Sequence, residues 1–136
     1  MRKNRKLVKK MCLSAALAVG ILGSAAVVNA DSFTTTGGKY NKTWNVSLSV
    51  AEHGGTIYRL TGTATQPGAY KFDDVSITVT QYCNNANNSV KTANATDAYT
   101  ISTFADAAKS ISNGKGTALV TVSDDTYGHG SKRIYN

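Results

Sequence analysis

Short runs in which apolar and polar residues alternate, separated by glycine, proline and asparagine, restrict this chain to β structure. Between Tyr40 and Val50, Trp44, Val46, Leu48 and Val50 alternate with Asn45, Ser47 and Ser49, the period of a strand with one dry face. Glu52-His53-Gly54-Gly55 reads as a hairpin turn, because paired glycines supply positive φ. Thr56–Thr65 is the return strand, with Tyr58, Leu60 and Ala64 on one side and Ile57, Arg59, Thr61 and Thr63 on the other. Gln66-Pro67-Gly68 breaks the pattern, and Asp74–Tyr82 resumes it through Val75, Ile77 and Val79. Residues 84–97 are Asn-rich with few apolar positions and read as a surface loop, since such side chains compete for backbone hydrogen bonds.

Tyr99–Phe104 has strand character again. Phe104, Ala107, Ala108 and Ile111 fit helical spacing, so a short helical or irregular segment is expected from Phe104 to Ile111. Thr117–Ser123 is a strand in a β-branched context. The ten residues Gly114–Ser123 are superficially similar to the last strand of antibody variable domains. The likeness stops there, because the cysteine pair of those domains is absent and thirteen residues follow. Lys132–Asn136 reads as a last edge strand or a frayed end.

The first thirty residues follow a different rule. Met1–Lys10 carries six of the fifteen basic residues, an apolar run extends from Met11 to Val28, and Val28-Asn29-Ala30 closes it with small residues. That is the layout of an export signal cleaved after Ala30. The apolar run is short of the roughly 20 residues that span a bilayer, so no transmembrane anchor is expected after processing. The net charge of +7 belongs largely to this leader. Residues 31–136 carry nine Lys and Arg against eight Asp and Glu, which leaves no electrostatic basis for binding nucleic acid. The long basic leader and the lack of a disulfide point to a secreted Gram-positive bacterial protein, released or loosely held at the wall.

Residues 31–136 are the length of one domain, enough to bury about 65% of its unfolded surface. Cys83 is its only cysteine, so no internal disulfide supports the fold. The expected architecture is all-β: an antiparallel β-sandwich, immunoglobulin-like or a related small sandwich or barrel. Trp44, Leu48, Ile77, Val79, Leu119 and Val122 form its candidate core. Thr occupies seventeen of its positions, which implies strands with wet outer faces.

Candidate chemistry is sparse. His53 and His129 are the only histidines, and both adjoin glycine in apparent turns. His129 lies near Ser131, Asp124 and Asp125, the residue types of a hydrolytic triad, but side chains two apart on a turn seldom reach triad geometry. No catalytic residue is therefore assigned. Asp73-Asp74 and Asp124-Asp125 are acidic pairs that suit calcium by residue type, although aspartates also favour turns and strand ends. No resident metal or cofactor is expected. Flat aromatic rings among Asn and Thr suit sugars or peptides, which makes Tyr127, Tyr135, His129 and His53 candidate ligand contacts.

Three functional readings follow. The leading one is a secreted, non-enzymatic binding or surface-interaction domain with an extracellular or cell-surface ligand, a glycan or a protein. A bacteriocin-like antimicrobial or toxin and a small extracellular hydrolase using His129 are the alternatives.

Overall fold

A computed structural model describes residues 27–136. The expected leader therefore falls outside the described residues for positions 1–26, while its last four residues, Val27–Ala30, open the first strand. The strands are β1 (Val27–Thr34), β2 (Thr43–His53), β3 (Ile57–Thr65), β4 (Phe72–Gln81), β5 (Ser89–Ala98), β6 (Thr100–Ala108), β7 (Gly116–Asp124) and β8 (Gly128–Tyr135). They form two four-stranded sheets, β1-β2-β3-β6 and β5-β4-β7-β8, with every pairing antiparallel. No helix occurs among the described residues.

The alternation read from the sequence decides which side chains meet between the sheets. Trp44, Val46 and Leu48 of β2 and Leu60 and Ala64 of β3 face Phe72, Val75, Ile77 and Val79 of β4 and Ala118, Val120 and Val122 of β7, all buried. The core is thus two apolar faces closed on each other, the arrangement that lets antiparallel sheets keep wet exteriors. Trp44 meets Phe72 edge to face, with ring centroids 5.2 Å apart and planes at 79°. Leu119, expected in the core, is only partly buried on the outer face of β7, because its neighbours Ala118 and Val120 take the inward positions.

Two stretches differ from expectation. The Asn-rich segment is a loop only as far as Asn88; β5 follows and pairs with β4 from Gln81↔Ser89 to Phe72↔Ala98. Its inward positions hold Ala93, Ala95 and Ala98 rather than large aliphatic residues, so the period-2 signal is faint although the ladder is interrupted only at Asp73 and Asp97, where Asp97 has φ +50°. Phe104–Ile111 is not helical: β6 runs through Ala108, and Lys109–Ile111 form a turn. Ala105 and Ala107 point inward while Phe104 lies outside under the Arg59 guanidinium, 3.9 Å from its ring centre. Alanine fits helix and strand periods equally, and pairing with β3 settles the matter.

One lateral seam is closed by side chains and backbone together. Asn29 Nδ2 of β1 donates to the Tyr135 carbonyl of β8, Lys132 Nζ lies 2.7 Å from the Asp31 carboxylate, and Thr36 and His129 exchange two backbone hydrogen bonds of 2.9 Å. The Lys132 bond and the Ser32 N–H hold the Asp31 carboxyl below its ordinary pKa. The loop after β1 can reach the β7–β8 hairpin because of paired glycines. A Cβ on Gly38 would lie 2.3 Å from the Gly128 nitrogen, and Gly128 itself has φ +88°. The C-terminus is fixed, since Asn136 accepts from Gly116 N at 2.8 Å and donates to the Gly114 carbonyl at 2.8 Å.

Candidate functional site

The register of the second sheet lays its outward side chains in four rows across β5, β4, β7 and β8. Val90, Thr80, Thr117 and Tyr135 make the first row; Thr92, Thr78, Leu119 and Arg133 the second. Asn94, Ser76, Thr121 and Ser131 make the third, and Thr96, Asp74, Ser123 and His129 the fourth. Small side chains in the middle of the last two rows leave a shallow trough of about 290 Å³, lined among others by Asp74, Ser76, Asn94, Thr96, Thr121 and Ser123. Its floor is rigid sheet, so these groups are held in place before any ligand arrives.

Hydroxyls pair across strands on both outer faces, on the second sheet between Thr78 and Thr92 at 2.8 Å, in the row beside the trough. On the first sheet they couple across strands: Thr34 with Thr43 at 2.9 Å, Thr63 with Ser102 at 3.0 Å and Thr65 with Thr100 at 3.2 Å. In the trough, Ser76, Asn94, Thr96 and Thr121 make no side-chain hydrogen bond among the described residues. Their donors and acceptors face solvent. A hydroxyl both donates and accepts, rotating to suit its partner, so this patch can match a ligand that presents hydroxyls of either sense.

His129 stands at the edge of the trough on β8. Its Nδ1 lies 2.7 Å from the Ser123 Oγ of the adjacent strand, so its hydrogen-bond partner is Ser123 and not Ser131. Asp124 faces the other way and is nearly buried. Its carboxylate accepts from the backbone N–H of Thr126 at 2.7 Å, Tyr127 at 2.9 Å and Asp73 at 3.1 Å, which ties the β7–β8 hairpin to β4. Asp125 is exposed in the hairpin, Asp73 is exposed at the start of β4, and Asp74 joins the trough. The two acidic pairs are thus neighbours, but no group of three or more His, Cys, Asp or Glu suited to a metal ion occurs among the described residues.

The aromatic candidates separate. Tyr127 packs inward, its ring 5.5 Å from Phe72 and 5.3 Å from Tyr70, and the Lys42 ammonium sits 3.7 Å above Tyr70. That row of rings seals one end of the sandwich. Tyr135 is the exposed aromatic on the trough's own sheet face, at the end of β8 away from His129. His53 ends β2 at the opposite end of the sandwich from the β7–β8 hairpin, close enough to Asp106 to act on its charge. Cys83 is half-buried in the β4–β5 connection, its N–H donating to Asn88 Oδ1 at 3.0 Å. The structure therefore brings His129 and Asp74 together with Ser76, Asn94, Thr96, Thr121 and Ser123, which no motif marks. The signal for them is the polar half of each alternating strand. Comparison with protein-family models, curated proteins and solved structures finds no match.

Proposed function

We propose that the chain is an exported, non-enzymatic binding domain of Gram-positive bacterial type that holds a polyhydroxylated ligand, a glycan, on the outer face of β5-β4-β7-β8. The carrying observation is the trough itself: Ser76, Asn94, Thr96 and Thr121 line it on a paired sheet, and their side-chain donors and acceptors are engaged by no other described residue. Sugar hydroxyls offer the complementary donors and acceptors, and the exposed ring of Tyr135 on the same face suits apolar C–H surface. The near balance of charge in residues 31–136 favours a neutral ligand over a polyanion. Export follows from the basic and then apolar amino terminus, with the domain released or loosely held at the wall.

The domain is proposed to be an immunoglobulin-like sandwich. The adjacent strands β2-β3-β6 and β4-β7-β8 are ordered as strands A-B-E and C-F-G of immunoglobulin-like domains, with β1 added as an edge and β5 beside β4. Trp44 on β2 and the lone Cys83 depart from the antibody pattern. Co-sedimentation of the purified protein with insoluble cell-wall glycan, and calorimetric titration with soluble chitooligosaccharides, test the reading. Wild type is expected to bind and Thr121→Arg, which fills the trough, to lose at least tenfold in affinity. Absence of binding to both probes, or equal binding by Thr121→Arg, overturns it.

The Ser123–His129 hydrogen bond favours one second reading, a hydrolase in which Ser123 is the nucleophile and His129 its base. Turnover of p-nitrophenyl acetate or glycosides that disappears in both Ser123→Ala and His129→Ala would select it over the binding domain.

A further inference from the structure

We infer that the leader is removed after Ala26 and that the mature chain begins at Val27. This inference rests on the export reading above and moves its cleavage point. The chain offers two small-residue endings, Ser24-Ala25-Ala26 and Val28-Asn29-Ala30. The first has small residues at both specificity positions, whereas the second places branched valine at the outer one. With cleavage after Ala26 the apolar stretch Met11–Gly23 is thirteen residues, inside the roughly 7–15 of a leader's apolar core. With cleavage after Ala30 it runs on to Val28.

The fold separates the two. From Val27, the first described residue, β1 pairs in unbroken register, Val27↔Val50, Val28↔Ser49, Asn29↔Leu48 and Ala30↔Ser47. Asn29 also donates its amide to the Tyr135 carbonyl, and Asn29 and Ala30 line the seam where β1 meets β8. Cutting after Ala30 would remove the first four of the eight residues of β1. The N–H and C=O groups along Ser47–Val50 would lose the strand they pair with, and the Asn29 bond that joins β1 to β8 would go with it. Cutting after Ala26 leaves every one of these pairs in place.

Secretion of the full chain from a Gram-positive host, followed by intact-mass measurement and N-terminal sequencing of the protein in the medium, tests this. The expected product starts at Val27; Ala26→Gln blocks or displaces its formation and Ala30→Gln leaves it unchanged. A secreted product starting at Asp31, blocked by Ala30→Gln, overturns the inference and leaves export standing. A chain retained in the cells with Met1–Ala26 attached overturns the export reading and the inference with it.

Discussion

Gly62 of β3 and Val79 of β4 face each other across the sandwich so closely that a Cβ on Gly62 would lie 2.7 Å from Val79 Cγ2, with Ala118 Cβ and Ile77 Cδ1 at 3.1 Å. All three neighbours are fully buried, so none can swing into solvent. Strand propensity alone would reward replacing this glycine, by up to about 1 kcal/mol. Overpacking a dense core costs about 1–3 kcal/mol, and here it wins. Gly62→Ala is therefore expected to lower the urea midpoint. In the Val79→Ala background, which removes the clashing methyls, the same change is expected to cost clearly less. Equal costs in both backgrounds would show that the sheets do not meet at this point.

Gln81 closes the far end of the core. Its buried amide donates to the carbonyls of Tyr58 at 3.1 Å and Ala105 at 2.8 Å and accepts from Ser112 Oγ at 3.0 Å, so one side chain of β4 ties β3, β6 and the turn before β7 together. Replacing it with an apolar residue of similar size leaves those partners dry and short of a hydrogen bond. Gln81→Leu is expected to cost about 1–3 kcal/mol, read as a lower urea midpoint with an unchanged slope. Ser112→Ala, which removes one of the three bonds, is expected to cost less.

How much of this was legible in the chain depends on side-chain size. Where alternation pits Trp, Leu, Ile and Val against Ser, Asn and Thr, as in β2, β4 and β7, the strand and its dry face can be read directly. Where the inward residues are alanine, as at Ala93 and Ala95 of β5 or Ala105 and Ala107 of β6, the contrast fades and pairing with a stronger neighbour decides. The site was harder to see for a related reason. Ser76, Thr121 and Ser123 belong to one surface only through register, a long-range property that local spacing does not record. His129 was visible as a residue, but its partner Ser123 comes from the cross-strand pairing of β7 with β8.

On the outer face of the first sheet, Arg59 grips Asp106 through two bonds of 2.8 Å. The guanidinium hydrogen bonds hold the Asp106 carboxyl below its ordinary value, with His53 adding to the effect, and raise Arg59. Because the folded pKa is lowered, the pair's contribution is complete above the unfolded value of about 4 and is lost as pH falls through the folded one. Partial exposure limits it to about 1 kcal/mol or less. Thermal melts are expected to show Asp106→Asn below wild type at pH 6, with the difference closing toward pH 2. A constant difference across that range would mean that the carboxylate's charge contributes nothing.

Asp124 illustrates how a residue type that suits a metal or a triad can be engaged elsewhere. Its oxygens already accept three backbone N–H groups, those of Thr126, Tyr127 and Asp73, and an asparagine there would turn an NH₂ toward at least one of these donors. Hydrogen bonds to a charged acceptor contribute about 1.5–3 kcal/mol each, so Asp124→Asn is expected to lower stability by at least about 1.5 kcal/mol, while Asp125→Asn, exposed in the same hairpin, is expected to change it little. Three backbone donors take most of the acceptor positions of this buried carboxylate, so millimolar calcium is expected to leave the Tm of wild type where it is. A calcium-dependent rise in Tm that disappears in Asp124→Asn would instead place an ion between the two acidic pairs.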